Sequence, residues 1–314
     1  MELTLDNTRR TDARTCLAMY YLRSKGLQKQ QKSTALRYGS TWHGYMEGHY
    51  KAKMQGKDNF IDAAAEQGAK VWKRETEGKT YFDDYRTEIN CGKAYIEYMA
   101  EFQDEGLIIK DVEKAFKIKM NPSSEEIDKY GLHSVDLYFS GMIDLQVEDY
   151  GTPWIWDHKS TGYPCKKIAF TQEKSPQMKG YTFATQCLNE VEAQGCIINI
   201  HQLASRKKKD GTYGKLTINF MRTPIIYSDT DIYNWRQSFL HTAGEIVRCM
   251  QTGIYPMDTN ACTNYGQCAY LPICDSVRVE ELPDIDYESF GEFILEPWDV
   301  LKKHPDRDIM YGEE

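Results

Sequence analysis

The 314-residue sequence has no apolar run approaching the length of a membrane span, so a spanning helix is not expected. Its opening stretch, Met1 to Arg14, is charged and lacks the apolar core of a secretion signal. Together these imply a soluble cytoplasmic chain. An excess of positive charge is also missing: 39 Lys and Arg stand against 47 Asp and Glu, a formal net charge of −8. That excludes a general polyanion binder. Contact with nucleic acid would have to come from local basic patches, beside a metal that offsets carboxylate charge. Global disorder is excluded as well, because 41% of the residues are apolar and 12% aromatic, enough for a core. The length suits one large domain or two intimate ones.

A paired disulfide framework is not expected from an odd count of nine cysteines without a secretion signal. Cys91, Cys165, Cys187, Cys196 and Cys249 fit ordinary small buried positions. Cys262, Cys268 and Cys274 differ, with five residues between neighbours in an irregular stretch that holds Gly266 and Pro272. Thiols gathered in this way suit a soft metal centre, and Cys16 is the candidate fourth ligand. Cys16 also fits a small position on the buried face of the first helix. Joining it to the C-terminal trio would close a loop over most of the chain and remove roughly 4–5 kcal/mol of unfolded-state entropy. Zinc and an iron–sulfur cluster both accept four thiolates, and the five-residue gaps mildly favour iron–sulfur.

The most informative segment lies near residue 150. Gly141-Met142-Ile143-Asp144 ends one β-like run, and Asp157-His158-Lys159 ends the next, across a polar connection over 147–153. Alternation puts Val135, Leu137, Phe139, Ile143 and Leu145 on one face and Asp144 on the other. In the second run Ile155, Asp157 and Lys159 share a face, opposite Trp154 and Trp156. Two carboxylates and a lysine converging at a sheet edge can hold a divalent cation and activate water beside a phosphate.

Other periodicities fill in the frame. Helices are expected over about 8–24, 34–55, 59–78 and 82–105, with Trp72, Tyr85 and Tyr95 in their packing. Val112, Phe116, Ile118 and Met120 alternate in a strand over 111–120. Gly195 to Leu203 and Lys215 to Met221 read as strands joined by Arg206-Lys207-Lys208-Lys209-Asp210-Gly211. Those four basic residues suit a phosphate clamp or a solvated hairpin tip equally. Ser228-Asp229-Thr230-Asp231 resembles a capping box that opens a helix to about 252. The acidic tail over 279–314, with Phe290, Phe293, Pro297 and Trp298, fits either packing on the domain or docking a partner.

Taken in order, these elements resemble the PD-(D/E)XK nuclease superfamily, in particular its RecB-like branch with a 4Fe–4S cluster. That branch includes the AddB nuclease domain, CRISPR adaptation exonucleases and phage-encoded relatives. The resemblance runs from Cys16 to Cys274. Gly39 to His43 resembles the family's Gly-x-x-x-His, and Glu113 resembles the acid that opens the first core strand. Gly141 to Asp144 resembles Gly-x-x-Asp, Asp157 to Lys159 resembles (D/E)-x-K, and Gln177 to Tyr181 resembles Gln-x-x-x-Tyr. One departure stands out: the relatives keep two residues between the second and third cluster cysteines, whereas Cys262 and Cys268 have five between them.

The resemblance implies an α/β restriction-endonuclease-like core, a mixed sheet flanked by helices. It also implies four sequential segments: a helical part over 1–107, the nuclease core over 108–252, a Cys-rich segment over 253–278 and the tail over 279–314. His43, Asp144 and Asp157 would hold Mg2+ or Mn2+, with the backbone carbonyl of His158 and with Glu113 as further ligands. Lys159 would orient or deprotonate the attacking water, and Gln177 and Tyr181 would contact substrate or orient Lys159. Cys16, Cys262, Cys268 and Cys274 would hold 4Fe–4S, with Zn2+ as the alternative. The implied activity is exonucleolytic cleavage of DNA, at duplex ends or on single strands, in recombination, repair or CRISPR-type processing. A helicase, recombination or CRISPR protein is the implied partner, and a phage gene expressed in a bacterial host is an implied source. A catalytically idle DNA-binding or assembly module is the competing expectation.

Overall fold

In the computed structural model the described residues are 1–29, 33–77, 84–188, 193, 195–263, 266–286, 289–291, 293–296 and 309–314. The chain opens with β1 (Glu2–Leu5), α1 (Asn7–Thr15), α2 (Leu17–Ser24) and β2 (Leu27–Lys29). Three longer helices follow: α3 (Thr34–Met54), α4 (Phe60–Thr76) and α5 (Glu88–Glu101). The middle carries β3 (Ile108–Met120), α6 (Ser124–Tyr130), β4 (Asp136–Asp149), β5 (Thr152–Thr161), α7 (Cys165–Glu173) and α8 (Pro176–Leu188). After β6 (Gly195–Ala204), β7 (Thr217–Ile226) and α9 (Asp229–Thr252) come α10 (Leu271–Cys274), β8 (Phe293–Leu295) and β9 (Ile309–Glu313). Among the described residues no helix is long and apolar enough to cross a membrane.

Two compact units divide this chain, cutting across the four sequential segments. One comprises Met1–Gln30, Ala115–Gly141 and Asp229–Glu314, the other Gln31–Lys114 and Met142–Ser228. In the second unit the strands lie in the order β7-β6-β5-β4-β3. β4 and β5 are antiparallel, β5 and β6 parallel, and β6 and β7 antiparallel, which makes a mixed sheet. β6 is buried from Gly195 to Leu203, as its near-continuous apolar run requires of a central strand. Its neighbour β7 is the edge, the place in a sheet where a proline such as Pro224 is tolerated.

Helices α3 and α4 pack closely because glycine faces the contact. A Cβ built on Gly48 would stand 2.4 Å from the Ala63 carbonyl oxygen. The core of this unit is unusually aromatic, with Tyr38, Trp42, Tyr50, Tyr95, Tyr98 and Trp156 buried together. Tyr95 is buried and Tyr85 packs on the same core, while Trp72 lies 4.4 Å under the Arg37 guanidinium.

In the first unit β1 pairs parallel with β4 through Glu2↔Asp136 to Leu5↔Phe139, and β9 pairs parallel with β3. Phe116, Phe139, Trp235 and Phe239 stack edge to face or offset at 5.0–5.5 Å. The tail packs here: β8 pairs with β2, and the Phe293 ring stacks on Tyr270 at 5.8 Å. Pro297 and Trp298 lie outside the described residues.

Several elements differ from the periodicity reading. The helix expected over 8–24 is broken at Cys16, which is extended (φ −166°, ψ 122°) between α1 and α2. Of the helix expected over 82–105, residues 82 and 83 lie outside the described residues, 84–87 are not helical, and α5 begins at Glu88, where the Thr87 side chain accepts the Asn90 N–H and caps it. The strand expected over 215–221 runs over Thr217–Ile226. Helix α9 opens at Asp229, inside the Ser228–Asp231 run.

Candidate metal-dependent active site

His43, Glu113, Asp144, Asp157, Lys159, Gln177 and Tyr181 all belong to the second unit. On β5 the alternation holds: Asp157 and Lys159 face one way, Trp156 and His158 the other. The register Leu145↔Trp156 brings Asp144 of β4 beside this stretch, and the His158 backbone N–H donates to Asp144 Oδ2 at 2.8 Å. Helix α3 crosses here, its Gly39 against Ser160 and its His43 one turn further on. His43 Nδ1 lies 3.5 Å from Asp144 Oδ2 and 3.6 Å from Glu113 Oε1. Ligand atoms of His43, Glu113 and Asp144 all fall within 4.8 Å of one another.

Glu113 reaches the group by a backbone irregularity. It does not open a strand; it sits within β3 with φ +53°, a left-handed value that a side-chain-bearing residue rarely adopts. Alternation slips there, so that Val112 and Glu113 are both buried, and the carboxylate is re-aimed at His43. Asp157 stands outside the triad. Its Oδ2 lies 2.7 Å from Lys159 Nζ. Lys159 donates to Gln177 Oε1 at 3.1 Å, and Gln177 Nε2 donates to the Tyr181 hydroxyl at 3.1 Å. Gln177 and Tyr181, four apart on α8, therefore fix the lysine head from one helix face.

Burial sets the electrostatics. It raises Asp144, with the nearby Glu113 charge adding to the rise and His43 opposing it. It raises Asp157 to about 6 despite the adjoining Lys159. Burial alone would push His43 and Lys159 down, but the surrounding carboxylates outweigh it. His43 is lifted to about 9, chiefly by Asp144 and then Glu113, and Lys159 is raised by Asp157 and Asp144. Without a divalent charge, the two acids thus hold a proton on the imidazole between them. A cation with affinity for one nitrogen and two carboxylate oxygens fits where that proton sits, and the partly exposed His43 edge gives it an approach.

A second layer had no sequence signal. The His158 imidazole points to the opposite face, where Asn199 Nδ2 donates to its Nδ1 at 2.9 Å and the Tyr50 ring stacks on it at 5.8 Å. Burial drives this histidine well below its ordinary pKa, so it is the neutral acceptor that Asn199 requires. Asn199 also donates to the Tyr98 hydroxyl at 2.8 Å. Tyr98 accepts from Arg222 at 2.5 Å, and Arg222 forks onto Asp104 at 2.5 and 3.2 Å. This buried chain holds the residue whose backbone N–H braces Asp144.

Cys16, Cys262, Cys268 and Cys274 belong to the first unit. All nine cysteines are free thiols. Cys16, at the break between α1 and α2, packs with Cys268 and Cys274 on a small core that includes Ala18, Leu22, Leu27 and Ile273. The Asp258 N–H points at Cys16 Sγ at 3.4 Å, and the Cys268 N–H donates to the Cys262 carbonyl at 2.8 Å. Burial pushes Cys274 up to about 11, and the charges of Cys16, Cys268 and Cys262 add to the rise. Cys262 is raised as well, by burial and then by Cys268 and Cys16.

The basic run lies on the β6–β7 connection. Arg206, Lys207, Lys208 and Lys209 are exposed, and the chain reverses at Gly211 with φ +87°.

A family model described as the PD-(D/E)XK nuclease superfamily matches residues 8–275. No curated protein matches the chain in sequence. Among solved structures, a provisionally named exonuclease from Eubacterium rectale is similar over 96% of this chain and 92% of its own, at 11% identity and a TM-score of 0.43. So remote a likeness carries no argument about function.

Proposed function

The chain belongs to the PD-(D/E)XK nuclease superfamily, and from that premise we propose that it is a divalent-metal-dependent deoxyribonuclease, acting as an exonuclease. What carries the reading is the meeting of His43, Glu113 and Asp144 within 4.8 Å, next to the Asp157–Lys159 pair. His43, Glu113 and Asp144 would hold Mg2+ or Mn2+, with Asp157 and the His158 carbonyl as further oxygen donors. The imidazole favours a manganese-tolerant site. When bound, such an ion supplies Lewis-acid polarisation of the phosphate and a more acidic water.

The chain's own groups do the rest. Lys159, held charged by Asp157 and Asp144, offers an ammonium to a non-bridging phosphate oxygen and offsets its charge. Gln177 and Tyr181 keep that ammonium from swinging away. Asp157, 2.7 Å from the ammonium, holds Lys159 in place beside the ion. Cys16, Cys262, Cys268 and Cys274 would hold a 4Fe–4S cluster that ties the ends of the first unit together, with zinc as the alternative occupant. The activity fits DNA recombination, repair or CRISPR-type processing, in a phage or its host.

Digestion of end-labelled DNA with Mn2+ or Mg2+ tests the activity. Lys159→Ala should slow cleavage by roughly 10²–10⁴-fold; equal rates for both proteins would reject the assigned site and favour an idle DNA-binding module. Anaerobically purified protein should be brown, with visible absorbance that is lost in Cys268→Ala. A colourless protein containing zinc would remove the cluster and leave the nuclease reading intact.

A further inference from the structure

Past Lys159, strand β5 runs on to Thr161, turns at Gly162 and enters α7. Two large aromatic side chains are left in solvent there: Tyr163 is 60% exposed and Phe170 73% exposed. They are not scattered. Lys167 and Phe170 are three apart on α7 and so lie on neighbouring positions of one helix face, and Tyr163 stands just before the Pro164 cap of that helix. Lys167 lies between them with its ammonium 4.4 Å over the Tyr163 ring, and Lys166 is exposed beside it.

The other flank of the turn carries Arg86, which is paired with Asp84 at 2.8 Å. A Cβ on Gly162 would meet Arg86 Nη2 at 3.4 Å and the Leu203 carbonyl at 3.9 Å. The strand ends here, next to the root of the Arg206–Lys209 hairpin, where Lys207 bridges to Tyr213. Tyr213 in turn packs edge-on against Tyr85, on which the Arg86 guanidinium lies at 4.8 Å. In a chain of net charge −8, Lys166, Lys167 and the four basic residues of the hairpin lie among rings here. Tyr163 follows two residues after the end of the strand that carries Lys159.

We propose that this face is a track for an unpaired DNA strand, with Tyr163 and Phe170 stacking on bases and Lys167, with the hairpin lysines, meeting the phosphates. The inference rests on the nuclease reading and gives its substrate class. Exposed π-faces next to cations are what sequence-independent single-strand binders use. A duplex cannot offer its bases to Tyr163 and Phe170, because they are already stacked and paired. The interleaved lysines argue against a protein partner, since lysine is depleted from the centres of protein interfaces. The track therefore selects single strands or frayed ends for the site upstream.

The test compares wild type with Tyr163→Leu/Phe170→Leu, which keeps apolar bulk and removes both π-faces, and with Lys167→Gln. All three positions are exposed, and unchanged melting temperatures confirm intact folding. Cleavage of labelled single strands and of blunt duplex is measured with Mn2+. Binding of a 2-aminopurine oligonucleotide is followed by fluorescence without metal. The double variant should lose roughly 5- to 100-fold in single-strand affinity per ring, with quenching abolished and duplex cleavage within about twofold of wild type. Lys167→Gln should lower the slope of log affinity against log salt by about 0.7. Unchanged single-strand binding, or an equal fall on both substrates, overturns the track. A wild-type protein that quenches the probe and cuts neither substrate overturns the nuclease reading and leaves the track standing.

Discussion

Replacing Arg222 with methionine isolates the layer behind the site. Asp104 is buried, its side chain 3% exposed, and it takes two hydrogen bonds from Arg222 and one from the Tyr50 hydroxyl. Arg222→Met keeps much of the packing over Phe102 and Trp156, whose rings lie 3.9 and 4.4 Å from the guanidinium carbon. It strands the Asp104 charge with Tyr50 as its remaining donor among these. Leaving one member of a buried pair uncompensated costs about 3–5 kcal/mol, a large part of a typical 5–15 kcal/mol total. Asp104→Asn in the same background removes the stranded charge and should recover about 2 kcal/mol or more. Urea unfolding of the metal-free protein, read by tryptophan fluorescence and circular dichroism, gives both numbers. The double variant should still cleave more slowly than wild type, because Tyr98, Asn199 and His158 lose their anchor. A loss under about 1 kcal/mol for Arg222→Met, or no recovery in the double variant, would refute the idea that this charge pair is buried and mutually dependent.

Three further outcomes are expected. Gly48→Ala should destabilise by roughly 1–3 kcal/mol in urea despite alanine's better helix propensity, because its Cβ meets backbone of α4 that can yield only if the helices separate; a stabilised variant would contradict the close approach. Burial would raise Glu126, but hydrogen bonds from Arg236, Gln237 and the Ser123 backbone hold it down at about 2. A carboxylate lowered on folding contributes stability above its unfolded value near 4.5 and loses it as pH falls through 2, so Arg236→Met should flatten the acid unfolding curve in that window; an unaltered curve would count against the pairing. His43, raised to about 9, contributes stability to the metal-free protein that is complete below its ordinary 6.5 and lost as pH rises through 9. Mn2+ binding below that pH should therefore release a proton, detectable by calorimetry in buffers of different ionisation enthalpy, and His43→Gln should abolish the release.

Much of this architecture was legible from local pattern. The acids and lysine of β4 and β5 follow from alternation, which fixes a side chain's face once the strand is known. Gln177 and Tyr181 follow from helical spacing in the same way. Other features leave no mark within a short window. Cys16 interrupts a helical pattern without glycine or proline, and the extended backbone there is matched by the Ala18 N–H bonding to the Pro256 carbonyl, a contact 238 residues away that no local propensity encodes. Glu113 takes a left-handed φ in a run, Val-Glu-Lys, that advertises a plain strand. The Asp104–Arg222 pair joins a loop to an edge strand 118 residues on. Periodicity also overran helix ends, as at 84–87, where capping by Thr87 decides the start.

The division of the chain has a consequence for its synthesis. Every residue of the unit that carries His43, Asp144 and Lys159 has been polymerised once Ser228 is added, whereas the other unit waits for residues 229–314. At ordinary translation speeds that interval is on the order of ten seconds. On the ribosome, the nascent unit that carries His43 can therefore begin folding while the edge of β3 that receives β9 is still bare. A chaperone, or a stalled message, would meet the molecule in that half-built form.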